Sequence, residues 1–198
     1  MNLKQTLKKF LLLIVILFIS HQDTDVKSGY IIESSVDLRS TIISSYSFIH
    51  RDNLVNLDSS IFSLMVSECD KYRIPYPILF GVADKESGFR FIKNFEGSSA
   101  MGYMQITKST FDDYYNKMGL TGGHTPENNI KVGAFYLYTM HENWKRRSKN
   151  DWTAWRWTLA EYAVGLGGMQ VVDSTNTIRY RIPNQCIADI NKVMRNYD

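Results

Sequence analysis

Cysteine is almost absent from this chain: Cys69 and Cys186 are the only two. They form no Cys-x-x-Cys pair, and His21, His50, His124 and His141 share no metal-ligand spacing with them or with an acid. No metal and no cofactor are therefore expected. No Ser/His/Asp set for nucleophilic catalysis stands out. Repeats and low-complexity tracts are missing too. The net charge is only +3, and part of it sits on Lys4, Lys8 and Lys9. Without a concentrated basic patch interleaved with aromatics, nucleic acid is not an expected partner. There is one long apolar run, Phe10 to Ile19. It is short for an ordinary spanning helix, which needs about 20 apolar residues.

What is present begins with that run. The three lysines ahead of it make residues 1–20 read as an export signal or signal anchor. The bulky Phe18 makes Phe18-Ile19-Ser20 a poor cleavage site, and no cysteine follows to carry a lipid. The lysines would stay on the cytoplasmic side. That predicts an exported chain in the periplasm or cell envelope, with residues 10–20 able to anchor it to the inner membrane. Residues 21–57 are polar and serine-rich, and read as a linker or N-terminal arm. Residues 58–198 then form one domain; with 44% hydrophobic and 13% aromatic residues, the chain can fill a sizeable helical core.

Within the domain, Asp58 or Ser59 caps a predicted helix to about Arg73, with Ile61, Phe62, Met65, Val66, Cys69 and Tyr72 on one face. Pro75 and Pro77 bracket a turn, and a largely buried helix follows from Ile78 to Glu86. Phe91 to Ala100 reads as loop. Thr107 opens a helix that stops at Gly119, and Thr125-Pro126 opens another, with Ile130, Ala134, Leu137, Tyr138, His141 and Trp144 aligned. Asp151 is expected to cap a helix carrying Trp152, Trp155, Leu159 and Tyr162, ended by Gly165, Gly167 and Gly168. Thr177 to Ile182 fits either an extended piece or part of a helix, and Pro183 starts a terminal helix. The fold class predicted is mainly α, with at most a small β element.

The stretch from Leu79 to Ile106 carries the chemistry. Its apolar run ends on Glu86, and Ser87-Gly88 follow as a helix stop. Burial and the negative end of a helix dipole both disfavour a charged carboxylate there, which suits a general acid. No second acid has a comparable setting: Asp84 would point away on the helix, Glu96 falls in a loop, and Glu161 reads as exposed.

Glu86-Ser87-Gly88-Phe89, Gly102-Tyr103-Met104-Gln105 and Ala160-Glu161-Tyr162-Ala163-Val164-Gly165 stand in the order and spacing of a known family. The chain resembles the soluble-lytic-transglycosylase-like catalytic domain, related in fold to goose-type lysozyme, from roughly Asp58 to Gly167. It departs from that pattern at Ala163, where Asn is usual, and at Tyr103, where Leu is usual. The resemblance implies that Glu86 protonates the glycosidic oxygen of N-acetylmuramic acid in peptidoglycan. The same residue then takes the proton of the sugar's 6-hydroxyl, closing a 1,6-anhydro ring without water. It implies that Met104 and Gln105 line the sugar cleft and that Tyr162 reaches the catalytic carboxylate. Ser87 is either a group orienting acid or substrate, or a simple helix-end residue. Met104 and Tyr162 are alternatively core residues.

Three functions follow: a lytic transglycosylase, a goose-type muramidase that uses water, and a non-catalytic wall-binding assembly module, which Ala163 favours. Small members of this family often serve secretion, conjugation or other envelope-spanning machines, so such a partner is expected beside the glycan strands. Export also puts Cys69 and Cys186 in an oxidising compartment, where a bridge is expected; two buried free thiols are the alternative.

Overall fold

The computed structural model describes residues 38–92, 99–172 and 177–195. The export segment, Glu96 and most of the loop after Phe91 lie outside the described residues. The chain divides into two units, 1–40 and 41–198. Of the first, residues 38–40 are described, and they are helical. Everything below concerns the second.

That unit starts 17 residues before the domain boundary read from the sequence at Asp58. The stretch from 41 to 57 looks polar, but its few apolar residues are used in the core: Ile42, Phe48, Leu54 and Leu57 are all buried. It also contributes a short helix, α1 (Arg51–Val55). The assignment of 21–57 as a linker is therefore corrected from Thr41 onward.

Six longer helices follow. Asp58 caps α2 (Ser59–Tyr72), accepting from the amides of Ser60 and Ile61, and Arg73 closes it in the left-handed conformation. α3 (Tyr76–Ser87) begins after Pro75, with Pro77 in its first turn. α4 (Lys108–Lys117) and α5 (Pro126–Lys145) come next, α5 being capped by Thr125. α6 (Asp151–Met169) is capped by Asn150 and not by Asp151; the Asn150 side chain accepts from Thr153 N at 2.8 Å. Asp151 instead reaches back to α5, where its carboxylate meets His141 Nε2 at 2.9 Å. Strands β1 (Gln170–Val172) and β2 (Ile178–Tyr180) pair antiparallel, Gln170 opposite Tyr180, and α7 (Asn184–Met194) ends the unit.

α5 is the hub. It packs on α2, α4 and α6, while α3 packs on α2 and α7. The face predicted for α5 is inward: Ile130, Ala134, Leu137, His141 and Trp144 are buried. α7 sits so close to α3 that a Cβ on Gly81 would come within 2.9 Å of Val193 Cγ1. Cys69 and Cys186 are free and buried, so no bridge joins them. Each is enclosed by its own helix packing, Cys69 beside Ile74 and Pro75, Cys186 beside Glu86 and Ile190. Among the described residues, no helix is long and apolar enough to cross a membrane.

Candidate active site

Glu86 lies in the last turn of α3, whose first three turns bury Ile78, Leu79, Phe80, Val82 and Ala83. Gly88 stops the helix at φ 59°, returning its N–H to Asp84 O at 3.0 Å. That turn needs a glycine, because φ is left-handed and a Cβ would lie 2.9 Å from the His50 ring. Glu86 is less buried than its helix, with a side chain 23% exposed. Its Oε1 is 3.4 Å from Lys85 Nζ, which in turn reaches Asp189 at 3.5 Å. Burial works against the Lys85 ammonium, but Glu86 and Asp189 outweigh it and its pKa is raised. Glu86 opens into a narrow space of about 20 Å³ walled by Leu159, Tyr162, Ala163 and Cys186.

The second motif forms a tight turn closed by a bridge between Met101 and Ile106. Asn129 of α5, fully buried, is its floor. It accepts from Met104 N at 2.9 Å, donates to Met101 O at 3.0 Å, and meets His124 Nε2 at 2.9 Å. Gly102 crosses directly over the Asn129 side chain, where a Cβ would lie 2.2 Å from Cγ.

Two residues expected to line the cleft do not present their side chains to it. Met104 is fully buried and packs on Gly133; an unbranched thioether fills the space that a glycine leaves on α5. Ser87 is buried as well, and its hydroxyl bonds Tyr103 O at 2.8 Å and Ala83 O at 3.1 Å. It joins the end of α3 to the turn and does not present itself to a ligand. Gln105 does face the cleft, from a strained φ of 43°, with Nε2 donating to Gly102 O at 2.8 Å.

Tyr162 joins the two motifs, though not as expected. Its hydroxyl donates to Met104 O at 2.5 Å and not to the Glu86 carboxylate. The carbonyl at a turn is fixed and lacks another donor, whereas Glu86 points toward Lys85 and α7. Burial foremost, then the charges of Glu86 and Tyr136, raise the phenol's pKa well above its ordinary value. Ala163 is exposed and lines both the Glu86 space and a second cleft of about 380 Å³. Gln105, Tyr136, Glu161 and Gly165 line that second cleft. Tyr162 and Ala163 are thus a partition, with Glu86 on one side and Gln105 on the other.

Glu161 is not exposed, as the sequence suggests, but half-buried in this second cleft. Its Oε2 accepts from the Trp144 indole at 2.6 Å. Burial raises its pKa, with the Trp144 bond and the charge of Arg147 opposing. Sequence reasoning also passes over Asn129, which has no local signal, and the clasp that Asp84 makes. Asp84 does point away from Glu86, as its helix position requires, but into the core, where it accepts from Ile49 N at 2.6 Å and His50 N at 2.7 Å. Among the described residues, no group of three or more His, Cys, Asp or Glu could hold a metal ion.

Residues 63–178, more than half of the chain, match the family model of the transglycosylase SLT domain. The match spans all three motifs and stops at the start of β2. No curated protein matches the sequence.

Proposed function

The chain belongs to the transglycosylase SLT domain family, and from that premise we propose that it is a lytic transglycosylase of peptidoglycan glycan strands, with Glu86 as its single acid and base. The observation carrying this reading is the setting of Glu86: a carboxylate on the rim of a rigid helix end, 23% exposed, with Lys85 its one polar partner among the described residues. One oxygen meets that ammonium, and the other has no protein hydrogen-bond donor among the described residues.

In the reaction, Glu86 gives its proton to the glycosidic oxygen as the bond from the muramic C1 breaks. The sugar's own 6-hydroxyl oxygen bonds to C1, and its proton returns to Glu86. Atoms balance without water, and no second carboxylate is required. Export and local wall opening for an envelope-spanning machine belong to the same proposal; the lysine-flanked run from Phe10 to Ile19 supports the first. A second reading, a hydrolytic muramidase, draws on Glu161, which sits on the far side of the Tyr162–Ala163 partition where a base directing water could act.

Mass spectrometry of the products from purified sacculi separates the two. Anhydro-muramic ends support the transglycosylase, reducing muramic ends move the chain to the muramidase, and an unaltered wall leaves neither.

A further inference from the structure

Glu161 has no part in the reaction as proposed, and its surroundings are unusual for a carboxylate. It is half-buried, its one hydrogen bond among the described residues is from Trp144 Nε1 at 2.6 Å, and no cation there pairs with it within 4 Å. Arg147, whose charge acts on the carboxylate, lies over the Trp144 ring at 5.6 Å and forms no ion pair with Glu161 within 4 Å. Tyr136 and Tyr162 line the same cleft. Tyr136 and Tyr162 stand 5.6 Å apart, and Tyr114 meets Tyr136 at 4.9 Å. Burial first, then Glu161, lifts the Tyr136 phenol to about 12, so these rings stay neutral beside the acid.

We propose that Glu161, held by Trp144 in the cleft it shares with Tyr136 and Tyr162, forms a subsite for a primary ammonium group of the substrate. The inference rests on the glycan-strand reading above. An indole N–H fixes one oxygen and leaves the other for a ligand in a cleft of about 380 Å³. A sugar hydroxyl brings no opposite charge to this half-buried carboxylate; an ammonium does, through a charge-assisted hydrogen bond. Gln105, at the other wall, supplies a neutral donor and acceptor for the amide groups beside that amine. Peptidoglycan offers the ammonium in two places, the free amine of a diamino acid in the stem peptide and the amine of a de-N-acetylated glucosamine.

The test is calorimetric titration of the full chain and of Glu161→Gln, which reads binding without turnover. Two probe pairs separate the sources: a glucosamine oligomer against the same oligomer re-N-acetylated, and an amine-bearing stem peptide against its acetylated form. The wild type should bind the amine form of one pair about tenfold tighter or more, and in Glu161→Gln that ratio should fall to near one. Equal affinities within both pairs for the wild type overturn the inference. So does a variant that keeps the wild-type ratio but loses turnover of sacculi, which would make Glu161 a base. A chain that leaves sacculi intact yet shows the ratio loses the transglycosylase reading and keeps the subsite.

Discussion

The carboxylate of Asp84 accepts the backbone N–H of His50 at 2.7 Å, across 34 residues of sequence. With the amide of Ile49 at 2.6 Å and Asn53 Nδ2 on Gly88 O at 2.8 Å, it fastens the 41–57 segment to the end of the helix that carries Glu86. A chain starting at Asp58 loses these bonds together with four buried apolar side chains, Ile42, Phe48, Leu54 and Leu57. Removing residues 1–57 should abolish or sharply lower the cooperative thermal transition in circular dichroism, while removing 1–36 should leave it in place.

Asp84→Ala tests the clasp alone. Two part-buried amide hydrogen bonds to a charged acceptor would be lost, a type worth about 1.5–3 kcal/mol each. Denaturant unfolding should give a loss of that order, and the variant should lose wall-degrading activity only in step with its folded fraction.

Glu86→Gln keeps shape but removes the proton donor. General acid–base catalysis typically contributes roughly 10²–10⁴-fold, so turnover of sacculi should drop by at least that much with the melting temperature unchanged. Undiminished turnover would remove Glu86 from the chemistry.

Tyr162→Phe leaves Met104 O without its donor, which should cost about 0.5–1.5 kcal/mol of stability. Because the bond goes to the turn and not to Glu86, the pH profile of turnover should keep its shape while its amplitude falls modestly. A shifted acid limb would instead mean that the phenol serves the carboxylate directly.

His141 gives the fold a pH dependence. Burial foremost lowers its pKa below the ordinary value of 6.5, with Asp151 opposing. A folded-state pKa below the unfolded one means that the unfolded chain binds the extra proton. The contribution is therefore complete above about pH 6.5–7 and lost as pH falls through the folded value. His141→Phe preserves the stack on Trp155, at 3.7 Å in the native chain, and should flatten the fall in melting temperature as pH drops below about 6.5.

Much of this arrangement was legible beforehand, because it follows from local rules. Asp58 and Thr125 are caps, Gly88 is a stop, and the inward face of α5 recurs at helical spacing. Glu86 and Gln105 are singled out by their motifs. The residues misread were those whose role is set by something distant in sequence. Met104 reads as a cleft or a core residue until Gly133 is seen to make room for it, and Ser87 as an orienting group or a helix-end residue until its hydroxyl is seen to donate to Tyr103 O. Glu161 reads as a surface acid because nothing near it in sequence announces the Trp144 indole one helix away. The 41–57 segment failed for a further reason: its polar composition hides four side chains at the core, and its partner Asp84 lies on another element.

The bond from Tyr162 to Met104 spans 58 residues, with all of α5 between the two ends. A chain emerging from the ribosome exposes Glu86 early, yet it has no partition and no cleft until α6 has followed and docked on α5. Contacts of such long sequence separation form late. The acid and the wall that would hold a glycan strand against it come together only in the finished molecule, so a partly made or prematurely ended copy carries the motif without the means to cut.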